Sequence, residues 1–508
     1  MTTNRVIAAA VGVALGVMMS AKSTAETAVT IYSKAVPGAV DPQLYRQSER
    51  MNARARMSVP GYAIVRDDRA ISLKRGRSEV QMTDVAALID PTTVSFESLT
   101  DPSGTRVIEQ DFRFDLVGSD KLLDRYIDQK ITVEQLTGDD VRAVTGTLLS
   151  VDGGMVLQMP DGSVELLQSW HNVRLGSLPG GLMTRPTLVW DVAASTSGEH
   201  DTRVSYETQG MTWWADYNLV WKPGRNANKG TLSMGAWVSI LNQSGTGFDD
   251  TSLKLIAGDV QRAPQSRQQV RLQRNMVAAM AMEDASAGFE EKSFFEFHLY
   301  TLGRKTTIAN NATKQIELFP QAAAVPAEKL LVYNGFPSGY NVGYGASDRN
   351  FGQQSNKKVD VYLTFSNREK NGLGIPLPAG RIRVSQLDDA DDSLEFIGED
   401  VIAHTPRNED LRIRLGSSFD VLGQRKQSDY AIDTKARWLE ETIEITLTNR
   451  KDVAQRVTIA EPLYRYANWT LIDPSQKFKK IDSRTIHFDV NVPADSEKTV
   501  SFKVRYTW

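Results

Sequence analysis

The chain has no cysteine. That excludes disulfides, zinc–thiolate centres, a cysteine nucleophile and lipid attachment through a thiol. Histidine is scarce: the five are His171, His200, His298, His404 and His487, and no two stand in a His-x-x-x-His or His-Glu-x-x-His pair. A zincin site therefore has no sequence support. No Gly-x-Ser-x-Gly elbow is present. Gly372-Leu373-Gly374 runs into prolines rather than a helix, so it is no dinucleotide fingerprint, and Gly303-Arg304-Lys305-Thr306 lacks the upstream glycine of a phosphate loop. No cofactor is expected. Charge of one sign is also missing, with 59 basic against 62 acidic residues. Without a basic stripe, nucleic acid is not an expected partner.

Helical periodicity is sparse. Residues 121–130 place Leu122, Leu123, Tyr126 and Ile127 on one face behind Ser119 or Asp120 as a cap. No long heptad run follows. Long apolar runs are confined to the N-terminus. There Arg5 precedes an apolar stretch from Val6 to Met19, and small residues follow through Ala25. A basic start, an apolar middle and a small-x-small site are the layout of a secretory signal. Residues 1–25 are read as that signal, cut after Ala25, with Met19-Ser20-Ala21 as the second choice. The run is shorter than the ~18–20 residues that span a bilayer. The expected location is periplasmic or secreted, in a bacterium, with no transmembrane span after cleavage.

What dominates the chain is alternation with a period of two. Residues 442–448, 486–492 and 500–506 each put their apolar side chains on one face, as a half-buried antiparallel strand requires. The expected fold class is all-β: several antiparallel β-sandwiches, a small SH3-like barrel and very little helix. Residues 26–117 are read as an N-terminal β-domain. Residues 118–178 form the barrel, punctuated by Asp152-Gly153-Gly154 and Asp161-Gly162 turns. Residues 179–355 form a central β-sandwich with a long exposed loop at 262–292, and residues 356–508 a C-terminal immunoglobulin-like sandwich. The first domain pairing with part of the central region, around an inserted barrel, is an open alternative. The stretch 493–497 reads as a hairpin loop between the last two strands.

Three groups of residues are candidates for binding. Trp190, Trp213, Trp214, Trp221 and Trp237 crowd into a short stretch. Trp213 and Trp214, with Tyr217 nearby, are adjacent on a strand and so point to opposite faces. One belongs to a core and the other to a surface or a domain junction, where an indole face suits a sugar ring. The segment 334–352 mixes glycine with Phe336, Tyr340, Tyr344 and Phe351; these aromatics could cover a flat ligand, but a surface loop is the favoured reading. Asp388, Asp389, Asp391 and Asp392 cluster in one loop. Four such carboxylates suit Ca²⁺, which takes six to eight oxygens, but a solvated turn between two strands is the favoured reading.

Several motifs in order carry a resemblance. They are Trp213-Trp214-Ala215-Asp216-Tyr217, Leu253-Lys254-Leu255-Ile256-Ala257-Gly258-Asp259, Phe295-Glu296-Phe297-His298-Leu299-Tyr300, Leu373-Gly374-Ile375-Pro376-Leu377-Pro378 and Gly416-Ser417-Ser418-Phe419-Asp420. Across roughly residues 180–508 the chain resembles an exported bacterial family with a conserved C-terminal domain of unknown function, which includes mucoidy-inhibitor-like proteins. The resemblance implies an envelope-located β-protein and no catalytic residue. The coiled coil of many members has no counterpart here. The function expected is that of a non-enzymatic cell-envelope protein that binds a protein partner or an envelope polysaccharide through β-domain loops. An envelope assembly factor docking through residues 118–178, and a glycan or peptide hydrolase, are the alternatives.

Overall fold

A computed structural model describes residues 26–35, 40–41, 44, 59–114, 118–137, 140–177, 184–226, 228–258, 260–262, 288–336, 347–350, 355–388 and 390–508. Residues 1–25, read from the sequence as a signal, most of the stretch 262–292, and Tyr340, Tyr344, Phe351 and Asp389 lie outside the described residues. The fold is nearly all β, built of multi-stranded, mostly antiparallel sheets. Among the described residues no helix is long and apolar enough to cross a membrane. The chain divides into two compact units: the first takes Ile64–Thr208 with the residues up to Ala28, the second Val29–Ala63 and Gln209–Trp508.

In the first unit, Thr187–Ala194 lies between Gly76–Met82 and Thr105–Arg113, antiparallel to both. Its run Leu188, Trp190, Val192, Ala194 is buried. A second layer pairs Gly198–Gln209 with Ile89–Ser98. The two layers meet where Phe96 packs 5.4 Å from Trp190. Trp190 satisfies its indole by donating to Gln110 Oε1 at 2.8 Å. Residues 187–208, which spacing groups with the central region, thus build the same sandwich as the residues before 114.

Residues 118–177 interrupt that sandwich. A short helix, Ser119–Arg125, is followed by five antiparallel strands in the order Asn172–Arg174, Lys130–Thr137, Asp140–Ser150, Met155–Gln158, Val164–Leu167. The helix starts on Gly118 with no side-chain cap. Alternate residues Ile131, Val133, Met155 and Leu157 fill a core closed by Tyr126. The Tyr126 hydroxyl donates to Ser177 O and accepts from Ser177 N, so one side chain ties the end of this segment to its beginning.

In the second unit one thirteen-stranded sheet runs from Leu394–Ile402 through Gly380–Leu387, Met211–Pro223, Lys229–Asn242, Ala312–Tyr333, Lys358–Ser366, Asp410–Asp433, Trp438–Asn449 and Ser496–Thr507. Ala312–Tyr333 is 22 residues long and changes partners along its length. Its first part pairs with Lys229–Asn242, its last with Lys358–Ser366. Register shifts and the left-handed Ala324 (φ 56°) give it the bend. Residues on either side of 355 therefore share one sheet.

The last sandwich corrects one expectation. Thr485–Val492 pairs with Gln455–Pro462, whereas Ser496–Thr507 pairs with Trp438–Asn449 and Asn468–Ile472. The segment between them is not a hairpin loop but a crossing between layers. Asn449 holds it, donating through Nδ2 to Pro493 O at 2.7 Å. The two strands face each other instead, with Phe488 stacked 5.5 Å from Phe502. Alternation reports which side is buried, not which strand lies alongside.

Candidate functional site

A cavity of about 650 Å³ opens within the second unit. Its origin lies in strand length. Met211–Pro223 pairs with Lys229–Asn242 along its whole length, from Met211↔Asn242 to Pro223↔Gly230. On its other edge the parallel neighbour Gly380–Leu387 starts only at Ala215↔Gly380. Trp213 and Trp214 thus stand where that edge is not yet covered. Tyr32, Tyr62, Ala257 and His404 close the space around them.

The two tryptophans take opposite faces. Trp213 meets Tyr300 edge-on, with centroids 6.4 Å apart. Trp214 packs with Val40, Leu44 and Leu241. Both are buried, at 3% and 7% exposure, so neither offers an open ring face. Trp214 Nε1 donates to Asp216 Oδ2 at 2.7 Å, and Ser239 Oγ donates to the same oxygen at 3.1 Å. Arg383 Nη1 lies 3.3 Å from the other oxygen. Trp213 Nε1 is buried without an acceptor among the described residues, a cost that a ligand oxygen would remove.

Tyr32 and Tyr62 form the aromatic wall, stacked with centroids 4.7 Å apart and planes 4° from parallel. The Arg262 guanidinium lies 4.3 Å from the Tyr62 ring centre, and Lys34 Nζ 5.9 Å. Burial pushes the Tyr32 hydroxyl above its ordinary pKa. His404 Nδ1 accepts from Ala379 N at 3.1 Å, which leaves Nε2 as the protonated nitrogen of the neutral ring. No carboxylate lines the cavity among its described residues. Aromatic rings, cations and the unmatched Trp213 N–H suit a ligand with an apolar face and electron-rich oxygens.

The other candidates fall elsewhere. Tyr217 is fully buried and donates to Pro378 O at 2.7 Å; desolvation raises its pKa well above the usual range. Phe336 packs 4.5 Å from Tyr464 in the C-terminal sandwich. Asp388, Asp391 and Asp392 sit in the turn between Gly380–Leu387 and Leu394–Ile402. Asp388 Oδ1 accepts from Ala390 N and Asp391 Oδ1 from Ser393 N, each at 3.0 Å, while Asp392 adopts φ 58°. The bonds from Ser393 hold the Asp391 carboxyl below its ordinary pKa. Those side chains serve the turn itself. No group of three or more His, Asp or Glu able to hold a metal exists among the described residues.

Sequence reasoning missed Tyr32, Tyr62 and Arg262. Each is a single residue in an ordinary context; Tyr32 and Tyr62 stand 181 and 151 positions before Trp213, and Arg262 stands 49 after it. Only the topology brings them together. Comparison with family models, with curated proteins and with solved structures returns no match.

Proposed function

We propose that the chain is an exported, non-enzymatic protein of the bacterial cell envelope that binds a protein partner or an envelope polymer through its β-domains. The observation that carries this reading is the cavity at Tyr32, Tyr62, Trp213 and Trp214, with Lys34 and Arg262 beside it. Aromatic walls with adjacent cations grip sugar rings or aromatic side chains; such contacts are worth roughly 0.5–1.5 kcal/mol each beyond burial. The signal-like N-terminus and the family resemblance point the same way. Crosslinking in intact cells, followed by purification and mass spectrometry, tests the reading. The expected result is one dominant envelope protein or glycan, lost when Tyr32 and Tyr62 are both changed to Ala. Recovery unchanged by that double substitution, or substrate turnover by the purified protein, overturns it.

The assembly-factor reading has its own observation. Val164 and Leu166 are 53% and 65% exposed on one face of their strand in residues 118–177, and Trp170 follows at 38%. Leu166→Glu, on that exposed face, spares the fold and should abolish association with a membrane complex. Retained association excludes this reading.

A further inference from the structure

A lysine stands in a row of core residues. Along Ala312–Tyr333 the alternate positions Ala327, Leu331 and Tyr333 are buried at 8%, 4% and 0% exposure. Lys329 belongs to the same face. Its cross-strand partner is Leu363, whose own partner on the next strand is Ile413. Facing this row, Trp221 and Gln386 stand side by side at the ends of Met211–Pro223 and Gly380–Leu387. Together they enclose a cleft of about 240 Å³.

Lys329 Nζ has neither a hydrogen bond nor an ion pair among the described residues, while its backbone N–H donates to Asn228 O at 2.7 Å. Lys329 is half-buried, so its ammonium gives up part of its hydration to an apolar wall that does not replace it. Among the described residues no carboxylate lines the cleft. The missing partner has a definite chemistry: one negative charge for one ammonium, attached to a body that fits Trp221, Leu363 and Leu415. The cleft is smaller than the ~300–1,000 Å³ typical of drug-sized sites, so the body is short.

We propose that this cleft binds a small apolar carboxylate, such as a medium-chain fatty acid, with its charge on Lys329 and its hydrocarbon against Trp221, Leu363 and Leu415. The lysine supplies three donors to one carboxylate. Gln386 and Ser417 are the other polar side chains of the lining. This site shares no residue with the cavity at Tyr32, and neither proposal depends on the other.

Calorimetric titration of the full chain tests the assignment with octanoate, 1-octanol and octylamine. Octanoate is expected to bind at least about tenfold more tightly than octanol, and octylamine not at all. Lys329→Met should weaken octanoate by about tenfold or more, and Lys329→Arg should restore most of the loss. No octanoate binding, equal binding of octanol, or Lys329→Met binding like the unaltered chain overturns the proposal. A second measurement needs no variant. Acylation of Lys329 by an amine-reactive ester, read by mass spectrometry, should slow when octanoate is present; an unchanged rate also overturns it.

Discussion

Arg425 Nη2 lies 2.8 Å from Glu461 Oε1, and both side chains are 1% exposed. A second pair, Arg465 with Glu441, lies beside it at 2.8 Å and is equally buried. Tyr464 and Tyr506 donate to the Glu441 carboxylate at 3.2 and 3.3 Å. Two cations and two anions thus share the interior of the C-terminal sandwich, each charge answered locally. Such pairs add little net stability, because desolvation consumes the Coulomb gain, yet removing one partner strands the other. Glu461→Gln should therefore cost roughly 3–5 kcal/mol in urea unfolding of the second unit. The double change Arg425→Met with Glu461→Leu should cost less than Glu461→Gln alone. A double variant weaker than the single would show that the pair itself stabilises the sandwich.

Gly61 lets the backbone of Tyr32 and Met211 approach closely beside the aromatic cavity. It has φ 155°, and a Cβ there would lie 2.5 Å from Met211 O and 2.8 Å from Tyr32 O. Both contacts are backbone and cannot swing aside. Gly61→Ala should destabilise the second unit by about 1–3 kcal/mol and displace Tyr32 from Tyr62. Loss of ligand or partner capture without loss of stability would show that the cavity yields more readily than the backbone around it.

The strands themselves were legible, because half-burial imposes a period of two that Thr485–Val492 and Ser496–Thr507 both carry. Their pairing was not, since Phe488 facing Phe502 across a core gives the same pattern as two neighbours in one sheet. Trp213 and Trp214 drew notice by composition, and they do line a cavity. Their burial on both faces was invisible: Val40 and Leu44, which cover Trp214, come from a stretch with no periodicity. Lys329 was the clearest missed signal. Ala327, Lys329, Leu331 and Tyr333 alternate as a core strand should, and a charge in such a row is readable from sequence alone.

His487 should make stability pH-dependent on the acid side. Desolvation is the main cause that lowers its pKa; Arg412 and Lys479 add to it, and Asp489 opposes. The unfolded chain takes up a proton near pH ~6.5, while folded His487 resists until lower pH. The unfolded state then binds more protons, so stability is lost as pH falls through that window. The thermal midpoint should drop between about pH 7.5 and 5.5, and His487→Gln should shrink the drop. An equal drop in both proteins would assign the acid sensitivity to other groups.

Lys329 makes the opposite kind of prediction, a gain on mutation. Burial lowers its pKa, and Lys451 pushes in the same direction. As pH falls below ~10.4 the unfolded amine is protonated first, so the folded state loses stability across that window and carries the penalty at neutral pH. Lys329→Met keeps the length of the side chain and removes the charge, so its thermal midpoint should exceed that of the unaltered chain at pH ~7. The difference should narrow as the pH rises past ~10.4, where the unaltered lysine becomes neutral in both states. Saturating octanoate should raise the midpoint of the unaltered chain alone, since a ligand that binds only the folded form stabilises it by mass action. A variant less stable than the parent at every pH would mean that Lys329 already has its counter-charge, and that the cleft needs none from outside.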